Sequence, residues 1–240
     1  MNSKDYVAGV DGARAGWIFV VVNASSLEVK ELGVAPTFSE LLLRTTETNV
    51  VGIDIPIGLP NELPDGGRSC DREARNLLKP FRHLSVFNAP PRPVLQARSY
   101  EEANDLHREN SNGNVGMSRQ AYGILPKIAE VDDLMTPRLQ QRFLEVHPEL
   151  SFMEMNDGEP VQLGKSRAGG ALVRMKLLGA CGMWDSLEAK ALEVSDAGLA
   201  DVMDAAAAAW SAARFAKGSA VSVPDVVEKD VRGLKMAIWR

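Results

Sequence analysis

The sequence predicts an α/β fold in which helices flank a mixed five-stranded sheet. Three apolar segments, residues 6–11, 17–22 and 27–34, follow one another through tight turns, a spacing typical of an antiparallel meander. A capping-box pattern at residues 37–40 opens a helix, and a buried strand at residues 50–55 follows it. Because a strand that follows a crossover helix lies parallel to an earlier strand, the sheet is predicted to be mixed.

A long segment separates the fourth predicted strand from the fifth, which is predicted at residues 142–146. Residues 56–135 are rich in Pro and Gly and carry two helical patterns, so they predict a loop-rich and helical insertion between these strands. The helical patterns cover residues 99–110 and 118–135, and Pro126 interrupts the second.

The last third of the chain is predicted to be mostly helical. Residues 165–178 and 199–217 give helix patterns, and a small closing strand is predicted at residues 236–239. The helix at 199–217 holds a run of Ala residues, which would allow it to lie close to the sheet and cross the ends of the first and fourth strands. We expect residues 1–240 to form a single domain.

Composition restricts the class of protein. The chain has 240 residues, of which 45% are hydrophobic and 25% charged, values typical of a globular protein with one sizeable core. It holds no run near the roughly 18 apolar residues of a membrane span, and its start lacks the pattern of a secretion signal, so a cytoplasmic location is expected. Cys70 and Cys181 lie far apart and indicate neither a zinc site nor a disulfide framework.

The charge is unevenly distributed. The net charge of −5 argues against a protein that coats nucleic acid non-specifically, because such binding depends on Lys and Arg. Residues 68–130 nevertheless carry ten Lys and Arg against seven Asp and Glu. This middle region is therefore the candidate phosphate-facing surface, although a modest excess of this kind also suits an ordinary solvated face.

Four aspartates lie where predicted elements end or begin. Asp11 and Asp54 end the first and fourth strands, and Asp201 and Asp204 share one face at the start of the Ala-rich helix. Carboxylates gathered in one place repel one another unless a cation neutralises them, so the pattern predicts a metal site. Taken singly, each has another explanation, since Asp11 suits a turn and the helical pair suits a helix cap.

Three further candidates lie at the end of the fifth predicted strand. Glu145 and Glu149 bracket His147, and either glutamate is a candidate further ligand or a member of a salt bridge. His147 is a candidate proton donor to a leaving group, or a structural residue beside Pro148.

The order of Asp11, Asp54 and the Asp201–Asp204 helix resembles that of the ribonuclease H-like superfamily, which includes the RuvC-type resolvases. Seven motifs are spread along the chain: residues 9–17 (GVDGARAGW), 52–60 (GIDIPIGLP), 70–75 (CDREAR), 85–93 (SVFNAPPRP), 117–127 (MSRQAYGILPK), 145–152 (EVHPELSF) and 201–205 (DVMDA). Through these motifs the whole chain resembles one family within this superfamily, the domain-of-unknown-function 429 family, described as predicted ribonuclease H-like nucleases.

What the resemblance implies is a ribonuclease H-like fold with a nuclease site that hydrolyses phosphodiester bonds. Two Mg²⁺ or Mn²⁺ ions, about 4 Å apart, would be held by the four aspartates, with Asp11 as the bridge. The implied catalytic residues are Asp11, Asp54, Glu145, His147, Asp201 and Asp204. The implied substrate-binding residues are Arg14, Arg72, Arg75, Arg92, Arg119, Gln120, Tyr122 and Lys127, with Phe87 as a further stacking platform. Fold-supporting salt bridges and core packing are the alternative roles for the second set.

The acidic chain suits a short, branched or single-stranded nucleic acid, or a small phosphoester, better than a long duplex. Two other functions stay open: a phosphotransferase or phosphatase for small phosphorylated molecules, and a non-catalytic binding or scaffold protein. Actin-like kinases also place an Asp and a Gly turn after an early strand, but they join two such cores, and 240 residues supply one. A homodimer is one assembly that the sequence allows.

Overall fold

A computed structural model describes residues 5–240 of the chain. Its main sheet has five strands in the order β3-β2-β1-β4-β5. The strands are β1 (Tyr6–Ala13), β2 (Gly16–Asn23), β3 (Val29–Ala35), β4 (Val50–Asp54) and β5 (Phe143–Glu145). The first three pair antiparallel, whereas β4 pairs parallel with both β1 and β5. This confirms the predicted mixed sheet, and the strand order is consistent with a ribonuclease H-like fold.

Helices connect and flank these strands. They are α1 (Phe38–Arg44), α2 (Ser69–Leu77), α3 (Tyr100–Glu109), α4 (Arg119–Gly123), α5 (Leu125–Leu134), α6 (Pro148–Met155), α7 (Ala168–Ala180), α8 (Trp184–Ala191) and α9 (Leu199–Ala216). Helices α2 to α5 and short 3₁₀ turns lie between β4 and β5, in the region predicted to be an insertion. None of the helices within residues 5–240 has the length and apolar character needed to cross a membrane.

The sheet separates two apolar cores. Val7 of β1 and Val50 of β4 pack on the face that α9 covers, whereas their neighbours Ala8 and Val51 pack on the opposite face with α1 and α5. This alternation is the ordinary pleat of a strand, in which successive side chains point to opposite faces. It continues to the ends of both strands and decides where the terminal side chains point.

Helix α9 lies unusually close to the sheet because two glycines leave room for it. A Cβ atom added at Gly9 would lie 2.0 Å from the backbone oxygen of Ala205 and the backbone nitrogen of Ala209, and one added at Gly52 would lie 2.5 Å from the oxygen of Ala208. The Ala run of α9 supplies the matching small surface. The helix therefore packs along the face of β1 and β4, rather than only across their ends as predicted.

Replacing Gly9 with Ala is expected to destabilise the protein by at least about 3 kcal/mol, because the added methyl group meets backbone atoms that cannot move aside. Thermal unfolding would show a loss of at least roughly 6 °C in Tm. Gly123→Ala is the control, since a Cβ atom there meets nothing within 4 Å. A Gly9→Ala protein as stable as this control would contradict the close packing of α9.

Several boundaries differ from the predictions, and four elements have no predicted counterpart: α2, α6, α8 and a strand that pairs with the closing strand. The predicted helix at 118–135 is two helices that divide at Ile124, and Pro126 lies near the start of the second. The closing strand β7 (Lys235–Trp239) pairs with an unpredicted strand, β6 (Ser222–Lys229), outside the main sheet. β6 contains Pro224, which a strand tolerates here because each strand of a two-stranded sheet has a free edge. The expectation that the chain lacks a secretion signal concerns its first residues, and residues 1–4 lie outside the described part of the chain.

Candidate functional site

Asp11 and Asp54 are direct neighbours at the ends of two parallel strands. They are paired in the register of β1 and β4, and both follow glycines that face α9. Strand alternation therefore points both carboxylates toward the face that α9 covers. Asp11 is buried and Asp54 is partly buried.

Helix α9 brings the other two predicted aspartates to the same place. Asp201 lies in its first turn and is partly buried, and Asp204 lies one turn further and is buried. All four aspartates line one cleft with a volume of about 500 Å³. The charged and amide lining of this cleft consists of Asp11, Asp54, Arg68, Asp71, Arg82, Gln120, Lys127, Glu145, His147, Glu149, Lys165, Asp201 and Asp204.

Most acids in the cleft have a basic partner, but three do not. Among residues 5–240, the carboxylates of Asp11, Asp54 and Asp201 accept no hydrogen bond and form no ion pair, whereas that of Asp204 bonds to the ammonium group of Lys165. The unpartnered carboxylates supply oxygen ligands of the kind that hard divalent cations prefer. They are the groups in this cleft that most need a cation.

The pKa values reflect this crowding. Burial, together with the charges of Asp54 and Asp204, raises the pKa of Asp11 well above its usual value, and burial and Asp204 do the same to Asp54. Burial raises the pKa of Asp204 to about 6, although Lys165 opposes the shift. Burial would lower the pKa of Lys165, but the carboxylates of Asp204, Asp11 and Asp54 outweigh it and raise that pKa.

Glu145 lies on the other face of the sheet from Asp11 and Asp54. It pairs in register with Ile53, whose side chain belongs to the core opposite α9. Its carboxylate accepts bonds from the guanidinium of Arg68, at 2.5 and 2.9 Å, and from the backbone nitrogen of Ile57 at 2.7 Å. Arg68 also binds Asp71 at 2.7 Å, so one buried cation neutralises two buried acids. Glu145 thus reaches the cleft as part of an ion-pair network.

A second group of possible ligands adjoins this network. Ligand atoms of Cys70, Asp71 and Glu145 lie within 4.8 Å of one another, a spacing compatible with metal binding, and all three residues are buried. The Arg68 guanidinium already bonds to both carboxylates, and burial raises the pKa of the Cys70 thiol. A cation would have to displace Arg68 and a proton, so this group is the weaker candidate.

His147 has both ring nitrogens in contact with backbone groups. The backbone nitrogen of Glu149 donates to Nδ1 at 3.3 Å, which caps α6, and Nε2 lies 3.4 Å from the carbonyl oxygen of Ser85. A neutral ring that accepts at Nδ1 donates from Nε2, so its one proton points to Ser85. Burial lowers the pKa of His147. These contacts describe a structural residue at the cleft wall.

Glu149 is also held in ion pairs. Its carboxylate binds Arg174 at 2.5 Å and Arg82 at 3.2 Å. Arg174 is fully buried and fixes the backbone of the preceding loop through the carbonyl oxygen of Leu163, at 2.8 Å. Glu149 therefore joins α6 to α7 instead of lying free among the four aspartates.

The predicted substrate-binding residues divide into two groups. Gln120 and Lys127 line the cleft, as does the aromatic ring of Phe87. Lys127 lies with its Nζ atom 4.5 Å from the centre of the Trp17 ring, and burial lowers its pKa. These side chains come from the insertion and line the cleft together with the acids.

The remaining predicted contacts lie outside the cleft lining. Arg14 is exposed in the β1–β2 turn, and Tyr122 packs edge-on against Tyr100 with ring centres 5.4 Å apart. The other four residues support local structure. Arg72 bonds to the oxygen of Gly67, Arg75 to those of Gly66 and Val86, Arg92 to Asp132 and Asp230, and Arg119 lies over the Tyr100 ring.

Four charged residues of the cleft lining were not predicted as site residues: Arg68, Asp71, Arg82 and Lys165. Arg68 and Arg82 lie in loops, where periodicity gives no information on side-chain direction. Lys165 was predicted to begin a helix, but α7 begins at Ala168, and Lys165 lies in the loop before it. A local signal existed for Arg68 and Asp71, because an acid at the third position of a helix can accept from the backbone nitrogen three residues earlier, as Asp71 does from Arg68 at 3.3 Å. No comparable local pattern marks Lys165.

Fold and site together define an α/β protein with a carboxylate-lined cleft at the ends of two parallel strands. The family model described as protein of unknown function (DUF429) matches residues 9–229. The chain therefore belongs to the DUF429 family, which confirms the resemblance seen in its motifs. Neither a curated protein nor a solved structure matches the chain.

Proposed function

We propose that this protein is a metal-dependent nuclease of the ribonuclease H-like superfamily that hydrolyses phosphodiester bonds. One observation carries the proposal: Asp11 and Asp54 lie side by side on parallel strands, and their carboxylates have no basic partner among the described residues. Asp201 and Asp204 of α9 line the same cleft. Crowded carboxylates repel one another and lower the stability of the folded protein unless a positive charge neutralises them. Binding a cation is the simplest way to supply that charge.

The residues present fit Mg²⁺ or Mn²⁺. The donors are carboxylate oxygens, which suit hard cations. The pKa values of Asp11 and Asp54 are raised, so a positive charge between the two carboxylates would stabilise their ionised forms. Asp11, Asp54 and Asp201 would hold the metal, with Asp204 as a further ligand. When bound, such a cation lowers the pKa of water and stabilises the leaving oxygen.

The basic, amide and aromatic residues that line the cleft would bind the substrate. Lys127 and Arg82 supply positive charge for a phosphate, and Gln120 supplies a neutral hydrogen-bonding group. Phe87 provides an apolar surface for an unstacked base. The acids that line the cleft, together with the net charge of −5, disfavour a long duplex, so a short, branched or single-stranded nucleic acid is the proposed substrate.

The dimensions of the cleft favour a second candidate, hydrolysis of a small phosphoester. A volume of about 500 Å³ lies in the range of pockets for small molecules. The ion pair between Lys165 and Asp204 is the contact that favours the third candidate, a non-catalytic protein. The partnerless Asp11, Asp54 and Asp201 weigh against it.

Hydrolysis assays would decide among these candidates. Wild type and Asp54→Asn would be incubated with single-stranded, branched and duplex oligonucleotides of DNA and RNA, and with small phosphomonoesters and phosphodiesters, in Mn²⁺, Mg²⁺ or chelator. Asp105→Asn is a matched control, because Asp105 is exposed on α3. Metal-dependent cleavage lost only in Asp54→Asn supports the proposal. Equal rates in all three proteins, or no hydrolysis of any substrate, would contradict it.

The stabilising effect of Mn²⁺ is expected to be larger at about pH 7.5 than at about pH 5. Asp204 has a folded pKa of about 6, above its usual 3.8, so the stability it contributes in the metal-free protein is present below 3.8 and lost as pH rises through about 6. A cation must displace the protons that these acids hold at low pH. Tm measured with and without Mn²⁺ across this range tests the prediction, and a shift independent of pH would contradict it.

A further inference from the structure

Lys165 places an ammonium group inside the predicted metal site. Its Nζ atom bonds to Oδ2 of Asp204, and its charge also acts on Asp11 and Asp54. The residue comes from the loop between α6 and α7, far in sequence from the strands that carry the acids. The lysine side chain is 37% exposed, so it borders the open part of the cleft.

The backbone that carries Lys165 is held in place. The buried Arg174 donates to the carbonyl oxygen of Leu163, two residues before Lys165, at 2.8 Å. A Cβ atom added at Gly170 would lie 2.1 Å from the oxygen of Gly164, so the loop packs tightly against the start of α7. The backbone nitrogen of Arg167 closes the loop by donating to Gly164 at 2.9 Å. Lys165 therefore starts from a fixed point on the cleft wall.

An ammonium group bonded to a carboxylate oxygen occupies a place where a cation would be bound. A second divalent cation at Asp204 would have to displace the ammonium group of Lys165 or lie in contact with it. Two positive charges in contact repel one another. The carboxylates of Asp11 and Asp54 are not engaged in this way and keep their oxygens free for one ion.

We propose that Lys165 takes one of the two cation positions, so that the site binds a single divalent cation between Asp11 and Asp54. The inference rests on the proposed function and changes it, because two ions were expected from the family resemblance. Lys165 would then act as a fixed positive charge near the phosphate, in the place that a second metal would otherwise fill. It is a positioning residue for Asp204 in the absence of substrate.

The number of bound metal ions tests this without any assay of activity. Equilibrium dialysis with Mn²⁺ would be combined with electron paramagnetic resonance of the bound ion in wild type, Lys165→Met and Lys165→Arg. We expect one Mn²⁺ per chain in wild type, with the spectrum of an isolated ion. Lys165→Met should bind a second ion and show coupling between the two, whereas Lys165→Arg keeps the charge and should stay at one.

Two results would overturn the inference while leaving the proposed function intact. The first is the binding of two coupled Mn²⁺ ions by wild type. The second is the binding of only one Mn²⁺ ion by Lys165→Met, if that ion is lost when Asp11 is also replaced with Asn. Since wild type alone supplies the first result, the test does not depend on the folding of a variant, and Lys165→Gln serves as a second neutral substitution. An absence of Mn²⁺ binding in wild type and Lys165→Met would overturn both proposals together.

Discussion

Replacing Asp11 with Asn is expected to abolish metal-dependent hydrolysis while the fold stays intact. Asp11 lies beside Asp54 and lines the same cleft as the acids of α9, so its loss removes one of the ligands of the proposed cation. The amide has nearly the same shape as the carboxylate, and the strand pairing at this position needs only backbone groups. Hydrolysis rates in Mn²⁺, measured beside circular dichroism spectra of both proteins, check this expectation.

The same variant should be at least as stable as wild type when no metal is present. Burial and the repulsion of Asp54 and Asp204 raise the pKa of Asp11, so ionising it above that pKa costs stability that the neutral amide does not lose. A higher Tm together with lost hydrolysis is the signature of a functional acid. Metal-dependent hydrolysis that persists in Asp11→Asn would contradict the proposed metal site.

Replacing Arg68 with Met is expected to lower the free energy of unfolding by about 3–5 kcal/mol, because it leaves two buried carboxylates without their cation. Arg68 is 2% exposed and bonds to both Asp71 and Glu145. It also donates to the backbone oxygens of Ile57 and Gly58, each at 3.1 Å, which fixes the chain just after β4. Thermal unfolding should show a decrease of roughly 6–20 °C in Tm.

Arg138→Met is the control for this substitution, since Arg138 is exposed and its side chain forms no hydrogen bond or ion pair with the described residues. It should change the stability by no more than about 0.5 kcal/mol. Similar Tm values for the two variants would show that the buried network does not hold β4, β5 and α2 together. A further consequence is that Arg68→Met should also lower hydrolysis at moderate temperature, because the strand end beside Asp54 loses its support.

The main sheet and the Ala-rich helix could be predicted from sequence because their signals are local. Tight turns force neighbouring strands to pair antiparallel, and a crossover helix forces a parallel pair. The Ala run at 205–209 predicted a close approach to the sheet, and Gly9 and Gly52 are the matching partners. The gathering of Asp11, Asp54, Asp201 and Asp204 in one cleft follows from these same rules.

The other side of the cleft could not be predicted, because it depends on register and on loops. A shift of one residue moves a strand side chain to the other face, and the three-residue β5 gives too short a pattern to decide where Glu145 points. The insertion has no periodicity that relates Arg72 or Lys127 to the sheet, so both were equally good candidates. Lys165 reaches the acids only through the packing of its loop on α7.

The most direct test of the account is to locate a bound cation. Crystals of the protein soaked in Mn²⁺ would be measured near the manganese absorption edge, and an anomalous difference map would show where the metal lies. The account predicts a peak within coordination distance of the carboxylates of Asp11 and Asp54 that is lost in Asp11→Asn. A peak at Cys70, Asp71 and Glu145 instead, or no peak in the cleft, would contradict it.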